Sequence, residues 1–310
     1  MTTKFSSSAP GNADLKRADL HQQVTDTIIR QLETGVVPWQ RGWQGEEHQL
    51  PGLPLNYSTG KQYRGINIVL LWCASMGQSY QSAEWATFRQ WQEKKELIRK
   101  GEKGTMIVYY DVMEKEVEGE QVKIPFLKSS VVFNRCQLQS YEAPESEPGE
   151  PRPLLVETID IVEAFVENTH VAVAHIGSSA CYHRKDDIIY MPDMDRFLAT
   201  AQCSATENYY ATLLHELIHW SGAEKRLNRT KGKTFGDKDY AQEELAAEFG
   251  AAFLCSGFGL PTADKGNHAA YIDNWLQVLR NDKHCVLKAA AAASKAVDYL
   301  HGIQPTYEPA

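Results

Sequence analysis

No stretch of eighteen apolar residues occurs in this 310-residue chain, and its first residues, MTTKFSSSAPGNAD, contain no apolar signal core. Membrane insertion and export are therefore not expected, and a cytoplasmic setting is. None of the six cysteines stands in a C-x-x-C pair. That removes the zinc ribbon and any obvious disulfide framework. Cys73 and Cys255 sit in the apolar runs LLWCAS and AFLCSG, as buried free thiols do in a reducing compartment. Helix-turn-helix, zinc-finger and RNP signatures are missing too, which argues against sequence-specific reading of a nucleic-acid duplex.

What is present is a metal motif. Ala211 to Trp220 read ATLLHELIHW, enclosing His215-Glu216-x-x-His219. On a helix, positions i and i+4 share a face one turn apart, so both imidazoles can close on one ion. Glu216 then stands where its carboxylate can take a proton from a water. Leu213/Leu217 and Leu214/Ile218 form two more i,i+4 pairs that would bury the rest of the helix, and Gly222 is placed to cap it. About 0.02 chance matches to this pattern are expected at the chain's His and Glu frequencies, so it is taken as a metal site.

Two histidines leave a catalytic zinc one protein ligand short. In the extension H-E-x-x-H-x-x-G-x-x-H the glycine matches Gly222, but Lys225 stands at the third histidine and a protonated lysine cannot ligate. Downstream, Asp239 to Phe253 read DYAQEELAAEFGAAF. This resembles the E-x-x-A-D/E signature of glutamate-type zincins. The resemblance implies Glu244 as third ligand and Glu248, one turn later, as the carboxylate supporting a ligand histidine. Glu243 points roughly 100° around the helix from Glu244 and is the weaker candidate. An N,N,O donor set suits zinc and leaves manganese open. His175, His183, His268 and His284 lack such spacing and are expected to be structural or at the surface.

Residues 142–153, EAPESEPGEPRP, carry no large apolar side chain and look like a solvated linker. It divides a net charge of −8 into +2 for residues 1–141, −3 for the linker and −7 for residues 154–310. Within the first part, EKEVEGE (Glu114 to Glu120) is an expected hairpin tip of net −3, which leaves +5 for the rest. A basic 1–141 domain and an acidic, metal-bearing 154–310 domain are thus expected. Helices are read over Leu15 to Leu32, Ile66 to Met76 and Trp85 to Lys95. Thr105 to Asp111 and Val122 to Asn134 alternate like paired strands.

Lys61 and Arg64 flank Tyr63, and Lys94, Lys95, Arg99, Lys100 and Lys103 crowd into ten residues. Tyr109, Tyr110, Phe126 and Phe133 lie on the strands. Basic side chains beside aromatic rings suit a single-stranded nucleic acid, whose phosphates need neutralising and whose bases can stack. A solvated face over an aromatic core would give the same composition.

PLNYSTGKQYRGIN (Pro54 to Asn67), WATFRQW (Trp85 to Trp91) and IRKGEKGTMIVYY (Ile98 to Tyr110) resemble the N-terminal domain of plasmid-borne ArdC antirestriction proteins, and a similar region occurs in TraC-type conjugative primases. DIIYMPDMDRF (Asp187 to Phe197), YYATLLHELIHWSGAEKRLNR (Tyr209 to Arg229) and YAQEELAAEFGAAFLC (Tyr240 to Cys255) resemble the zincin-like domain of the same family. The resemblance implies a small α+β domain that binds single-stranded DNA, joined by a linker to a mostly helical, zincin-like metallopeptidase domain. It also implies a role in protecting incoming plasmid DNA during conjugation. Lys61, Tyr63, Arg64, Arg99, Lys100 and Lys103 are the residues expected to meet DNA.

On this reading zinc on His215, His219 and Glu244 acidifies a water, and Glu216 takes its proton and passes it to the leaving amine. The strand-like run Asp187 to Met191 is expected to edge the cleft and pair with an extended substrate. Tyr240 or a nearby histidine would stabilise the oxyanion. The protein substrate is unknown, with restriction machinery one candidate. The rival is a DNA-coating protein whose metal is structural or regulatory. A primase accessory role is less favoured, since no carboxylate cluster for two metals is evident.

Overall fold

The computed structural model describes residues 19–40, 52–117, 120–143, 156–200, 203–229, 238–262 and 268–305. The expected linker lies almost wholly outside them. The first part comprises α1 (Leu20–Glu33), β1 (Leu55–Asn56), α2 (Ile66–Gln78), β2 (Glu84–Ala86), α3 (Phe88–Glu93), β3 (Thr105–Val117) and β4 (Glu120–Asn134). The strands form one sheet in the order β1-β2-β4-β3. The β3–β4 hairpin runs in unbroken antiparallel register from Thr105↔Val132 to Val117↔Glu120, so the acidic run does flank its tip.

One expected helix is shorter than its apolar spacing suggests. Trp85, Phe88 and Trp91 stand three apart, as on a helix. Trp85 and Ala86 nevertheless belong to β2, paired with Asn134 and Phe133 of β4. The helix begins only after Thr87, whose hydroxyl accepts from the Gln90 N–H while the Gln90 side chain takes the Thr87 N–H. That reciprocal cap marks the boundary which hydrophobic spacing hides.

The second part comprises α4 (Val156–Glu167), β5 (Ala172–His175), β6 (Cys181–His183), β7 (Ile188–Met191), α5 (Ala205–Ser221), α6 (Lys238–Phe258), α7 (His268–Asn281) and α8 (Cys285–Gly302). Its small sheet has the order β5-β7-β6. The strand expected to edge the cleft, β7, is therefore central, with both sides paired; β6 is the edge on the metal-motif side.

Helices from both parts build one core. Val24, Ile28 and Leu32 of α1 and Ile68, Val69 and Trp72 of α2 bury with Leu245, Phe249 and Phe253 of α6, Trp275 of α7 and Val286 of α8. Trp39 meets Phe249 edge-on at 4.9 Å and donates its indole N–H to the Tyr271 hydroxyl at 3.1 Å. The apolar stripe of α1 thus finds its partners across the linker in sequence. An isolated 1–141 fragment would expose that stripe, so binding is best tested on the whole chain.

Candidate metal centre

α5 is buried along most of its length. Ser204 caps it by accepting from the Glu207 N–H at 3.2 Å, and Leu213, Leu214, Leu217 and Ile218 all lie in the core. It packs on α6 through small residues: a Cβ on Gly250 would fall 2.7 Å from the Ile218 side chain. That close approach brings α6 carboxylates to the histidines.

His215, His219 and Glu244 converge, each offering a ligand atom within 4.8 Å of the others. The histidine Nε2 atoms lie 3.8 Å and 3.4 Å from the Glu244 carboxylate oxygens, and the two rings are nearly perpendicular at 4.9 Å. Two imidazoles and one carboxylate are the protein donor set of a catalytic zinc site. Glu216, buried beside them, accepts the backbone N–H of Tyr182 on β6 at 2.7 Å. Its other oxygen has no hydrogen-bond partner among the described residues and is free to take a proton.

The support behind the ligands differs from expectation. His219 Nδ1 faces Glu243 at 3.1 Å, not Glu248. Adjacent helical positions 100° apart straddle the line where α6 meets α5, so Glu243 is turned inward, 2% exposed, and Glu244 toward the cleft, 24% exposed. Glu248, one turn on, faces the Trp39–Tyr271 core instead. There burial, and then the Glu248 carboxylate, push the Tyr271 hydroxyl well above its usual range.

Arg229 completes the support. Its Nε and Nη2 grip both oxygens of Glu243 at 3.0 Å, and Nη1 donates to the Ser221 hydroxyl at 2.9 Å. The guanidinium lies over Gly222, where a Cβ would stand 2.7 Å from Nη2. Gly222 does end α5 as expected, but its φ of −82° is ordinary; the missing side chain serves Arg229. We expect Arg229→Ala and Glu243→Gln each to weaken metal affinity about 10- to 100-fold in a chelator-competition titration. Arg229→Lys should recover little, because an ammonium restores the charge without the fork. Gly222→Ala, which displaces the guanidinium, should match them. Unchanged affinity in Arg229→Ala would show that Glu243 holds His219 unaided.

Burial alone would lower the His219 pKa, but the Glu243 and Glu244 carboxylates outweigh it and raise it to about 9. Against burial, the His215 and then the His219 imidazole hold Glu244 well below the usual carboxylate range. A metal requires neutral imidazole, so metal and proton compete for His219. Apparent affinity should climb with pH, up to about tenfold per unit, and level off above the folded-state value of about 9. Calorimetry at neutral pH in buffers of different ionisation enthalpy should find about one proton released per ion. No release would contradict the protonated state.

The other expected residues are dispersed. Lys225 pairs with Asp187 at 2.8 Å, away from the centre. His175 meets the Tyr209 hydroxyl at 2.8 Å and His183 pairs with Asp186. Tyr240 lies beside Glu244; burial first, then that carboxylate, raise its hydroxyl pKa. In the first domain Arg64 pairs with Asp298 of α8. Arg99 donates to the Cys136 and Leu138 carbonyls and pairs with Glu102. Tyr63 is half-buried, its hydroxyl 3.2 Å from the Asn56 amide. Lys61, Lys100 and Lys103 remain exposed and make no ion pair among the described residues. Tyr109 and Tyr110 are 46% and 63% exposed on β3.

A helix carrying H-E-x-x-H, a glutamate from the next helix and a small sheet whose edge strand holds the Glu216 carboxylate define a zincin-like domain. Comparison agrees: residues 160–292 match the zincin-like metallopeptidase family and residues 18–133 match the N-terminal domain of anti-restriction factor ArdC. The chain belongs to the ArdC antirestriction family. It is similar to the metal-free crystal structure of the antirestriction ArdC protein from plasmid R388, with 39% identity and a TM-score of 0.72 over 92% of this chain and 97% of that one. The Mn(II)-bound structure of the same protein gives 36% and 0.72, covering 94% and 100%. Protein y4eC of Sinorhizobium fredii is 32% identical over 92% of both chains. The DNA primase TraC of Escherichia coli is 32% identical over 93% of this chain, which spans only 27% of that protein. The zincin-like domain implies zinc, and the R388 relative has an Mn(II)-bound form.

Proposed function

We propose that this antirestriction protein binds single-stranded DNA entering by conjugation and that its zincin-like domain is a zinc-dependent peptidase. The observation that carries the peptidase half is the placement of Glu216 beside the His215, His219 and Glu244 cluster, with one oxygen tethered to the Tyr182 N–H and the other unengaged. A bound zinc supplies Lewis-acid polarisation and an acidified water. Glu216 accepts the proton from the attacking water and returns it to the leaving amine. The site would act in the cytoplasm, on a protein met at the incoming strand; restriction machinery fits that place. Among the described residues no helix is long and apolar enough to cross a membrane.

The DNA half is supported by the exposed Lys61, Lys100 and Lys103 and by Tyr109, which shares a hairpin face with Lys128 and Phe126. Arg64, Arg99 and Tyr63 are tied into the fold, so their replacement would disturb structure as well as binding. The whole chain should bind a labelled oligothymidylate more tightly than the matching duplex, with affinity falling steeply as salt rises. Removing Lys100 and Lys103 should lower the slope of log affinity against log salt by about 0.7 for each phosphate no longer neutralised. No binding to the strand at low salt would overturn this half of the proposal.

A further inference from the structure

A cavity of about 570 Å3 opens between α1, α2 and the turn that leads into β3. Its volume falls within the ~300–1,000 Å3 typical of small-ligand pockets. Leu70 and Cys73 of α2 and Met106 of β3 give it an apolar floor. Glu102, held by Arg99, lines it too, and around its walls stand Gln31, Gln78, Tyr80 and Lys103. None of these four side chains makes a hydrogen bond or ion pair among the described residues. Such groups elsewhere in the domain are engaged: Gln90 caps α3, and Gln137 bonds Glu102 and the Lys103 carbonyl. Burial, and then the neighbouring Glu102, push the Tyr80 hydroxyl up to about 12, which keeps it a donor.

An apolar floor beneath unpaired amides matches a flat heteroaromatic ring with donors and acceptors on its edge. We propose that this cavity receives one splayed nucleobase of a bound single strand. The floor takes the ring face, Gln31, Gln78 and Tyr80 meet the edge, and Lys103 neutralises the adjoining phosphate. Each amide offers both a donor and an acceptor, so the pocket tolerates different bases, as a strand binder without sequence preference requires. Lys100, three residues before Lys103, is exposed and extends the basic path away from the cavity. The inference rests on the DNA-binding reading and adds to it a site for the base itself.

The test compares whole-chain binding to an oligothymidylate with binding to an equally long abasic strand, by fluorescence anisotropy. The wild type should bind the abasic strand about tenfold more weakly, since stacking one base contributes roughly that much. Gln31→Ala combined with Gln78→Ala should erase the difference and leave the salt slope unchanged. Gly77→Phe, which fills the cavity from α2, should do the same. A Cβ at Gly77 meets only the Gln31 amide nitrogen, at 3.7 Å, so the helix accepts it and the melting temperature should hold. If both variants still discriminate the strands as the wild type does, the cavity holds no base and the DNA-binding reading survives. If the wild type binds neither strand at low salt, that reading falls and the inference with it. Thymidine monophosphate that saturates the wild type without affecting strand affinity would assign the cavity to a free nucleotide and overturn the proposal.

Discussion

His215→Ala and His219→Ala are each expected to abolish stoichiometric metal binding, measured by mass spectrometry of the purified protein and by zinc titration. Either change leaves one imidazole and one carboxylate, too few donors to hold the ion against solvent. The His219 change goes further. It removes one of two partners of Glu243, which is 2% exposed and is then held by Arg229 alone, so a modest drop in melting temperature should accompany the loss of metal. His215, at the cleft side, should lose metal with a smaller change in stability. Glu244→Ala should lose far more metal than Glu248→Ala, because Glu244 lies 3.4 Å and 3.8 Å from the two histidines while Glu248 faces Tyr271. Glu248→Ala should register instead as a stability change in the shared core. Full occupancy in either histidine variant would overturn the assignment, and the opposite order of the two glutamates would exchange their roles.

What is legible in the sequence follows the range of each interaction. The two imidazoles lie one helical turn apart, so spacing alone places them together, and the apolar pairs around them fix which face is buried. Glu244 needs the resemblance to glutamate-type zincins, because no local spacing relates one helix to the next. Glu243 looks the weaker candidate because helical geometry turns it away from Glu244. In the structure that rotation is its role: it faces the neighbouring helix while Glu244 faces the cleft. Arg229 and Tyr182 have no local signal at all. Arg229 acts through a carboxylate fourteen residues ahead and Tyr182 through a backbone N–H on another element. The strand order is likewise hidden: β7 is the most apolar of its sheet because it is central, and the more polar β6 is left as the edge.

The architecture also bears on how the two halves cooperate. Trp39, Thr25 and Gly65 of the first part bond to Tyr271 of α7, the Lys283 carbonyl in the turn after it and Ser294 of α8. α6 carries Glu243 and Glu244 at one end and packs Phe249 and Phe253 against α1 and α2 farther along. The metal centre and the proposed strand-binding domain therefore lean on one helix. Both proposed activities would thus rest on a single shared core.

Glu216→Gln should leave the metal in place and reduce peptide hydrolysis about a hundred- to ten-thousandfold, the usual contribution of a general base. The substitution is close to isosteric. The amide oxygen can still accept the Tyr182 N–H now bound at 2.7 Å, so the fold and the three proposed ligands should be undisturbed. What is lost is the oxygen able to take a proton. Hydrolysis of an unfolded test protein with zinc present, followed by gel electrophoresis, measures the first effect, and metal content by mass spectrometry checks the second. The same variant then separates the two readings of biological role. If plasmid transfer into a restricting host loses its protection along with peptidase activity, cleavage is the protective act. If hydrolysis disappears while protection and strand binding persist, the protein shields the DNA by covering it, and the zincin-like domain serves another purpose. Hydrolysis that survives Glu216→Gln with full metal occupancy would remove Glu216 from the role of base.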